Sequence, residues 1–512
     1  MTSRSERNKW VNEAGTEISD LGSRTARGGA IGIASQGARI GLQIATSVVM
    51  ARLLSPQDFG LVAMAATVTS FVGLFTDFGL SAATVQRREI DQETVSMLFF
   101  INIALGILLM LAAFAAAPLA SEAFGDRRVL WITMAIAASL PVNAAGAQHT
   151  ALLQRGMRWV HLQWTGIAAQ LVAALIAIGL ASSGIGYWAL VAQTWTSALV
   201  TMVLVWSVCG WRPSAVRSFG FSRSAVKFGL GLTGFNVINY FHRQLDNVLI
   251  GSRWGAVELG HYSRAYGLLG LPMSLISGPV ASVVQPALSR LQDDPVRWRR
   301  SFLECLSALT LASSGIAAAL IAAAHPMVML LYGPRWEIAA QIFSVLAISM
   351  FPVMAANAMG WIYVSLGRTR RLLSWGAVGV PPFIIAFLIG VQYGPLGVAA
   401  AYTATNFLLF IPEIYFACHG TPVRARQIFK VVVPFILAGA AAGALGTLGC
   451  KLMLSPDASD LARLLVLLTG TLAAYLLFAG LALLTQSAYF DLRTRIFRML
   501  RLALRAAGGR HA

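Results

Sequence analysis

The stretch NVINYFHRQLDNVLIG, residues 236–251, lies inside a long apolar part of the sequence yet carries seven polar or charged side chains. At about 100° per residue, most of them share one helical face, whose members are Asn236, Asn239, Arg243, Asp246 and Asn247. A charge that faces lipid at mid-depth costs at least about 2.5–3.5 kcal/mol. The stretch therefore predicts a membrane helix whose polar face lines a water-filled cavity or meets another polar face.

The composition extends this prediction to the whole chain. Of the 512 residues, 57% are hydrophobic and 12% are charged, and the mean hydropathy is +0.68. Apolar runs of about 20 residues, each long enough to cross about 30 Å of hydrocarbon, recur along the chain. We predict an all-α polytopic membrane protein with about 14 spans, at 28–53, 58–83, 93–118, 128–152, 159–182, 186–208, 225–250, 256–288, 301–325, 337–365, 370–391, 395–418, 429–450 and 462–486.

The net charge of +18 follows the predicted topology. With the N-terminus inside, most of the 39 lysines and arginines fall on inner segments, as the positive-inside rule requires. We therefore expect both termini to be cytoplasmic and the basic excess to contact lipid headgroups rather than nucleic acid. The four cysteines and seven histidines show no metal-ligand spacing, so we expect no metal and no cofactor.

An internal repeat relates the two halves of the chain. Asp58-Phe59-Gly60, where span two begins, is matched by Glu258-Leu259-Gly260, where span eight begins. The same offset of 200 residues, carried back one helix, pairs polar residues with one another: Gln36 with Asn236, Arg39 with Asn239, Gln43 with Arg243, and Ser47 with Asn247. Because six spans separate the copies, the halves share one orientation, which predicts two six-helix lobes around a central cavity in a parallel, pseudo-two-fold repeat.

The predicted organisation has six parts: a cytoplasmic tail (1–27), an N-lobe with spans one to six (28–208), a cytoplasmic linker (209–224), a C-lobe with spans seven to twelve (225–418), two further spans (429–486) and a basic cytoplasmic tail (487–512). Prolines inside spans predict bends, at Pro272, Pro279 and Pro286 in span eight and at Pro352 in span ten.

The two polar stripes are the candidate cargo-binding surface. Span one contributes Gln36, Arg39 and Gln43, and Arg39 has no acidic residue on its own span, so it requires an acid from another helix or an anionic ligand. On span seven, Arg243 and Asp246 also fit a pair that neutralises itself, and buried amides also hold helices together.

Three further ionisable residues within the spans are candidate functional residues. Arg264, in span eight, is a further candidate for the cavity. Asp77 and Glu413, near the inner ends of spans two and twelve, are candidates for an inner gate or for coupling to H⁺ or Na⁺; a helix-end charge is the alternative for both.

Four stretches resemble one family: ARLLSPQDFGLVAM (51–64), LFTDFGLSAATVQRREI (74–90), LDNVLIG (245–251) and SLISGPVASVVQPALSRLQDD (274–294). They look like the polysaccharide flippases of the multidrug/oligosaccharidyl-lipid/polysaccharide (MOP) superfamily, in the branch that exports lipopolysaccharide and exopolysaccharide units. The resemblance implies a MATE-like fold with two extra C-terminal helices. It also implies a bacterial inner-membrane protein that transfers undecaprenyl-diphosphate-linked oligosaccharide from the cytoplasmic to the periplasmic leaflet by alternating access. A polysaccharide polymerase and export machinery are the partners that it implies.

Other functions stay open beside this one. A peptidoglycan lipid-precursor flippase also fits a basic cavity, and a cation-coupled multidrug antiporter shares the fold but favours acidic cavity residues. A membrane glycosyltransferase, polymerase or ligase requires a catalytic constellation on a sizeable loop. The loops here are short and no such constellation is present, so we predict a transporter and no enzyme.

Overall fold

The structure is a computed structural model, and it describes residues 21–76, 81, 84–85, 90–214, 223–453 and 459–487. Within these ranges, the side chains of 21–34, 223–239, 241–243, 275, 277, 279, 282, 369 and 484–487 are not described.

Every regular element in these ranges is a helix, and the chain divides into two compact units, Met1–Arg264 and Ala265–Ala512. The first holds α1 (Leu21–Leu53), α2 (Pro56–Gly73), α3 (Gln92–Phe124), α4 (Arg127–Ala137), α5 (Leu140–Arg155), α6 (Trp159–Ser182), α7 (Trp188–Cys209) and the start of α8 (Arg223–Ser289). The second holds the rest of α8, then α9 (Pro295–Tyr332), α10 (Glu337–Ile348), α11 (Met350–Ser365), α12 (Thr369–Gly390), α13 (Gly394–Cys418), α14 (Ala425–Met453) and α15 (Asp460–Ser487).

Helix α8 consists of two arms joined at Gly255. This residue has φ 82° and ψ −173°, a conformation that only glycine adopts readily, whereas the rest of α8 is helical. The chain reverses there, because Asp246 and Tyr262, on opposite sides of Gly255, are joined by a hydrogen bond of 2.8 Å. The two arms, 223–254 and 256–289, contain the predicted spans seven and eight.

Prolines break two of the predicted spans. A proline cannot bond to the carbonyl four residues earlier. For Pro141 that carbonyl belongs to Ala137, where α4 ends; for Pro352 it belongs to Ile348, where α10 ends. Span ten bends there by 50°. The bend predicted at Pro352 in span ten is therefore confirmed. By contrast, the backbone of α8 stays helical at Pro272, Pro279 and Pro286, so these three prolines do not break span eight.

Among the described residues, eight helical segments are long and apolar enough to cross a membrane, or nine if the bent pair α10 and α11 forms one span. The chain is therefore a multi-pass membrane protein. Several helices extend past the apolar run that predicted them, and α1 begins at Leu21 rather than at residue 28. Hydropathy marks the part of a helix that lies in hydrocarbon, whereas backbone hydrogen bonding continues into the polar layer.

Four helices of the first unit surround the candidate site. Helix α6 packs against both α1 and α7, and α7 also packs against α5. Small residues permit this close packing: Ala169, Ala173 and Ala177, which recur every fourth residue along α6, are each no more than 2% exposed.

Candidate functional site

The polar stripe of α1 faces open space at Arg39 and Gln43, and Gln36 is half-buried. The Arg39 guanidinium lies over α6, where a Cβ added at Gly166 would be 3.6 Å from its Nη1 atom. One turn further along α6, Gln170 Nε2 donates a 3.2 Å hydrogen bond to the Arg39 carbonyl oxygen. Among the described residues, Arg39 has no ion-pair partner. Its charge is therefore free to meet an anion.

A polar pocket opens beside this stripe, and sequence reasoning missed it. It measures about 390 Å³ and is lined by three helices of the first unit: Asn143 on α5, Gln170 and Ala173 on α6, and Gln193, Thr194, Ser197, Ala198 and Thr201 on α7. The spacing of Gln193, Ser197 and Thr201, four residues apart, was a signal for a polar face on α7. Of the amides on α5 and α6, only Asn143 and Gln170 line the pocket, and packing brings both to the polar face of α7.

The side chains of the span-seven stripe are described only at its C-terminal part, from Gln244 onward. Asp246 is 3% exposed; its carboxylate accepts hydrogen bonds of 2.8 Å from the Tyr262 hydroxyl and from the Asn247 backbone N–H. The Asn247 side chain donates to Gln244 Oε1 at 2.8 Å. The side chains of Asn236, Asn239 and Arg243 lie outside the described residues. In this conformation the Asp246 carboxylate is therefore held inside the protein and does not line open space.

Arg264 lies at the motif shared by the two repeats. Arg264 is half-buried, and its guanidinium carbon is 4.4 Å from the centre of the Phe59 ring, a cation–π contact that stabilises the charge. Phe59 follows the capping box of α2, in which Ser55 Oγ accepts from the Asp58 N–H at 3.3 Å and Asp58 Oδ2 accepts from the Ser55 N–H at 2.9 Å. The SPQDFG part of the first family-like stretch is thus a helix start.

The glycines of the two repeated motifs contact each other's helices. A Cβ at Gly60 would collide with the Ala256 carbonyl, and a Cβ at Gly260 would collide with the Pro56 carbonyl. Pro56 and Ala256 are 200 residues apart, as are Gly60 and Gly260. Each glycine therefore contacts the residue that corresponds, in the other repeat, to the one its counterpart contacts. We call this contact the glycine crossing; it relates the start of α2 to the second arm of α8 by a local pseudo-two-fold.

Of the two gate candidates, only Glu413 falls within the described residues. Glu413, on α13 of the second unit, is half-buried, and its carboxylate interacts with the Trp375 side chain. Asp77 lies outside the described residues.

Comparisons of the sequence with known proteins give a consistent result. A family profile described as "Polysaccharide biosynthesis protein" matches residues 49–341. The succinoglycan biosynthesis transport protein ExoT of Rhizobium meliloti is 26% identical over 360 residues, which cover 68% of this chain and 73% of that protein. The lipopolysaccharide biosynthesis protein WzxC of Escherichia coli is 23% identical over 412 residues, covering 78% and 82%.

Solved structures share the fold at low sequence identity. The lipid II flippase MurJ in an inward closed conformation matches with a TM-score of 0.70 at 13% identity, covering 88% of this chain and 98% of that one. An inward-facing multidrug MATE transporter of the MOP superfamily matches with a TM-score of 0.56 at 14% identity, covering 76% and 95%. At these identities the likeness establishes the architecture alone.

Proposed function

Because the chain belongs to the polysaccharide biosynthesis protein family, we propose that it is a flippase that moves a polyprenyl-diphosphate-linked oligosaccharide from the cytoplasmic to the periplasmic leaflet. It does so by alternating access, for lipopolysaccharide or exopolysaccharide biosynthesis. The matched residues, 49–341, contain all four stretches on which the resemblance rested, so membership of this family of membrane transporters is confirmed. One relative is named for succinoglycan biosynthesis transport and another for lipopolysaccharide biosynthesis, and both names support a glycan cargo here.

One observation carries the proposal: the exposed Arg39 has no ion-pair partner among the described residues and lies at the edge of a polar pocket, within otherwise apolar helices. A lipid-linked glycan has an anionic diphosphate, which arginine binds with two parallel charge-assisted hydrogen bonds. Amides and hydroxyls are suited to the sugar hydroxyls. The polyprenyl chain stays in the lipid. This polar surface replaces the water that the headgroup loses while it crosses.

We propose that the protein lies in the inner membrane with both termini in the cytoplasm. In this proposal the chain crosses the membrane fourteen times and forms two lobes related by a parallel repeat. Each predicted span overlaps, in its described part, with at least one helix, although α2 ends at Gly73, ten residues before the predicted end of span two. The exchangeable contacts of the glycine crossing support a pseudo-two-fold. One of the eight membrane-competent segments, Arg370–Cys418, is 49 residues long, enough for two crossings, and contains Gly394 with φ 80°.

Energy for the transfer comes in this proposal from the membrane potential, with a proton or sodium ion exchanged through Asp77 or Glu413. Moving one net negative charge outward gains about 2.3 kcal/mol per 100 mV in a cell that is negative inside. Polysaccharide polymerase and export machinery act on the delivered unit.

The decisive experiment uses a strain that lacks this protein. We would quantify surface and secreted polysaccharide and determine which leaflet holds the lipid-linked unit, with the wild-type gene restored as the control. Loss of one glycan, with its lipid-linked unit trapped in the cytoplasmic leaflet, is the expected result. Arrested peptidoglycan synthesis would instead support the lipid-precursor alternative. Normal glycans with altered drug sensitivity would support the antiporter.

A further inference from the structure

We propose that the polar pocket beside Arg39 binds the sugar next to the diphosphate, and that it selects an uncharged sugar. This inference rests on the proposed function and adds the position and chemical class of the first sugar. Its basis is the lining of the pocket, the unused hydrogen-bonding groups there, and the distance between the pocket and the cation.

The lining is polar but uncharged. Asn143, Gln170 and Gln193 supply amides and Thr194, Ser197 and Thr201 supply hydroxyls, with no lysine, arginine, aspartate or glutamate among the lining residues. Amides and hydroxyls both donate and accept, as sugar hydroxyls do. A uronic acid would bring its carboxylate into a space without a cation, at a desolvation cost that nothing in the lining offsets. The volume of about 390 Å³ falls in the lower part of the ~300–1,000 Å³ range of small-ligand sites.

Three of the six polar side chains that line this pocket are left available for a ligand. Within the part of the chain that the structure describes, Gln193, Ser197 and Thr201 have no hydrogen-bond partner. Their neighbour Thr194 shows the usual alternative, because its hydroxyl donates to the Leu190 carbonyl four residues earlier at 3.2 Å. Polar side chains in an apolar helix are costly to leave unsatisfied. The three groups therefore form a row, one per turn, that faces the pocket.

The position of the Arg39 guanidinium determines which sugar of the oligosaccharide the pocket binds. Arg39 lies over Gly166, and Gln170, one turn along α6, both lines the pocket and bonds to the Arg39 backbone. One turn of helix is about 5.4 Å. A diphosphate held by the Arg39 guanidinium thus places the sugar attached to it, rather than a later one, at Gln170 and Gln193.

The test measures binding of three probes to the purified full-length protein in lipid nanodiscs: undecaprenyl diphosphate, undecaprenyl-diphosphoglucose and undecaprenyl-diphosphoglucuronic acid. We expect the glucose probe to bind about tenfold more tightly than the diphosphate alone, the effect of roughly two neutral hydrogen bonds. The glucuronic acid probe gains nothing. Gln193→Leu and Thr201→Val remove the gain and leave the Kd for undecaprenyl diphosphate unchanged.

Thr196→Val is the matched control, since Thr196 is a half-buried threonine of the same helix that does not line the pocket. It should keep the tenfold gain. Equal binding of the glucose and glucuronic acid probes, no gain from glucose in the wild type, or a parallel loss of all three probes in the pocket variants would each overturn the inference while the flippase assignment stands. Failure of the wild type to bind undecaprenyl diphosphate at all would overturn the proposed function as well.

Discussion

Arg39 and Asp246 both lie on polar faces of apolar helices, but their surroundings differ. Arg39 is exposed beside the pocket, whereas Asp246 is 3% exposed and bonded to Tyr262. Helical periodicity predicted both polar faces. It could not separate the two residues, because the partner of Asp246 lies beyond the chain reversal at Gly255, which no local pattern encodes. A stripe thus identifies candidates, and tertiary packing decides which of them remain open to a ligand.

Arg39→Ala should reduce export of the glycan at least tenfold at near-normal protein levels, because the proposed function assigns the exposed guanidinium to cargo binding rather than to packing. Arg39→Lys should restore part of the rate, since an ammonium keeps the charge but loses the bidentate geometry. Export is measured as polysaccharide released per cell, with Arg52→Ala at the exposed end of α1 as the control. Wild-type export by Arg39→Ala would contradict the role assigned to this cation.

Tyr262→Phe should lower the thermal unfolding midpoint of the purified protein. The change removes the hydroxyl that donates to Asp246 and leaves a buried carboxylate short of one donor, at a cost of about 1–3 kcal/mol. Combining it with Asp246→Leu should recover part of the loss, because the unsatisfied carboxylate is then absent. If Tyr262→Phe unfolds at the wild-type temperature, this bond does not stabilise the reversal of α8.

At the scale of helices, the glycine crossing joins two elements through backbone contact. Only residues without a Cβ fit there, because each glycine lies against a carbonyl of the opposite helix and not against a flexible side chain. The Ser55–Asp58 capping box and Pro56 fix where α2 begins, and so they fix the level at which Gly60 meets its partner. The local start signal and the long-range contact therefore depend on the same short segment.

Gly60→Ala and Gly260→Ala should each destabilise the protein by ~1–3 kcal/mol or more, the cost of overpacking a site that cannot relax without moving a helix. The double variant should cost less than the sum, because one added methyl group already separates the helices. Gly179→Ala on α6 is the control, since no atom lies within 4 Å of its added Cβ. Thermal unfolding in nanodiscs measures all four proteins; additive losses would mean that the two glycines act independently.

Hydropathy predicted every helix that the structure describes but not the ends or the breaks. A helix that crosses the hydrocarbon layer requires about 20 apolar residues, so the spans can be predicted from the sequence. The interruption after Ala137 follows from Pro141, whose effect was predictable from the missing N–H and was overlooked in span four. The pocket was not predictable in the same way, because its amides come from helices that are adjacent only after folding.

At the scale of the whole molecule, the predicted orientation follows from the distribution of basic residues. Span five separates the loop at Met157, predicted inside, from the loop at Ser183, predicted outside, and both residues are exposed. In a variant without the four native cysteines, Ser183→Cys should react with a membrane-impermeant maleimide in spheroplasts. Met157→Cys should react only after permeabilisation. The reverse pattern would invert the topology and with it the direction of transport.

The glycine crossing has a consequence for the origin of the chain. An interface that is unchanged when its two sides are exchanged has the symmetry of an isologous dimer, in which one patch meets a second copy of itself. Here Pro56 and Gly60 take one side, and Ala256 and Gly260 take the other. In the proposed two-lobe arrangement, one polypeptide thus contains, covalently joined, the association that two separate half-length subunits would form. Gene duplication and fusion would preserve such a contact without requiring a new surface.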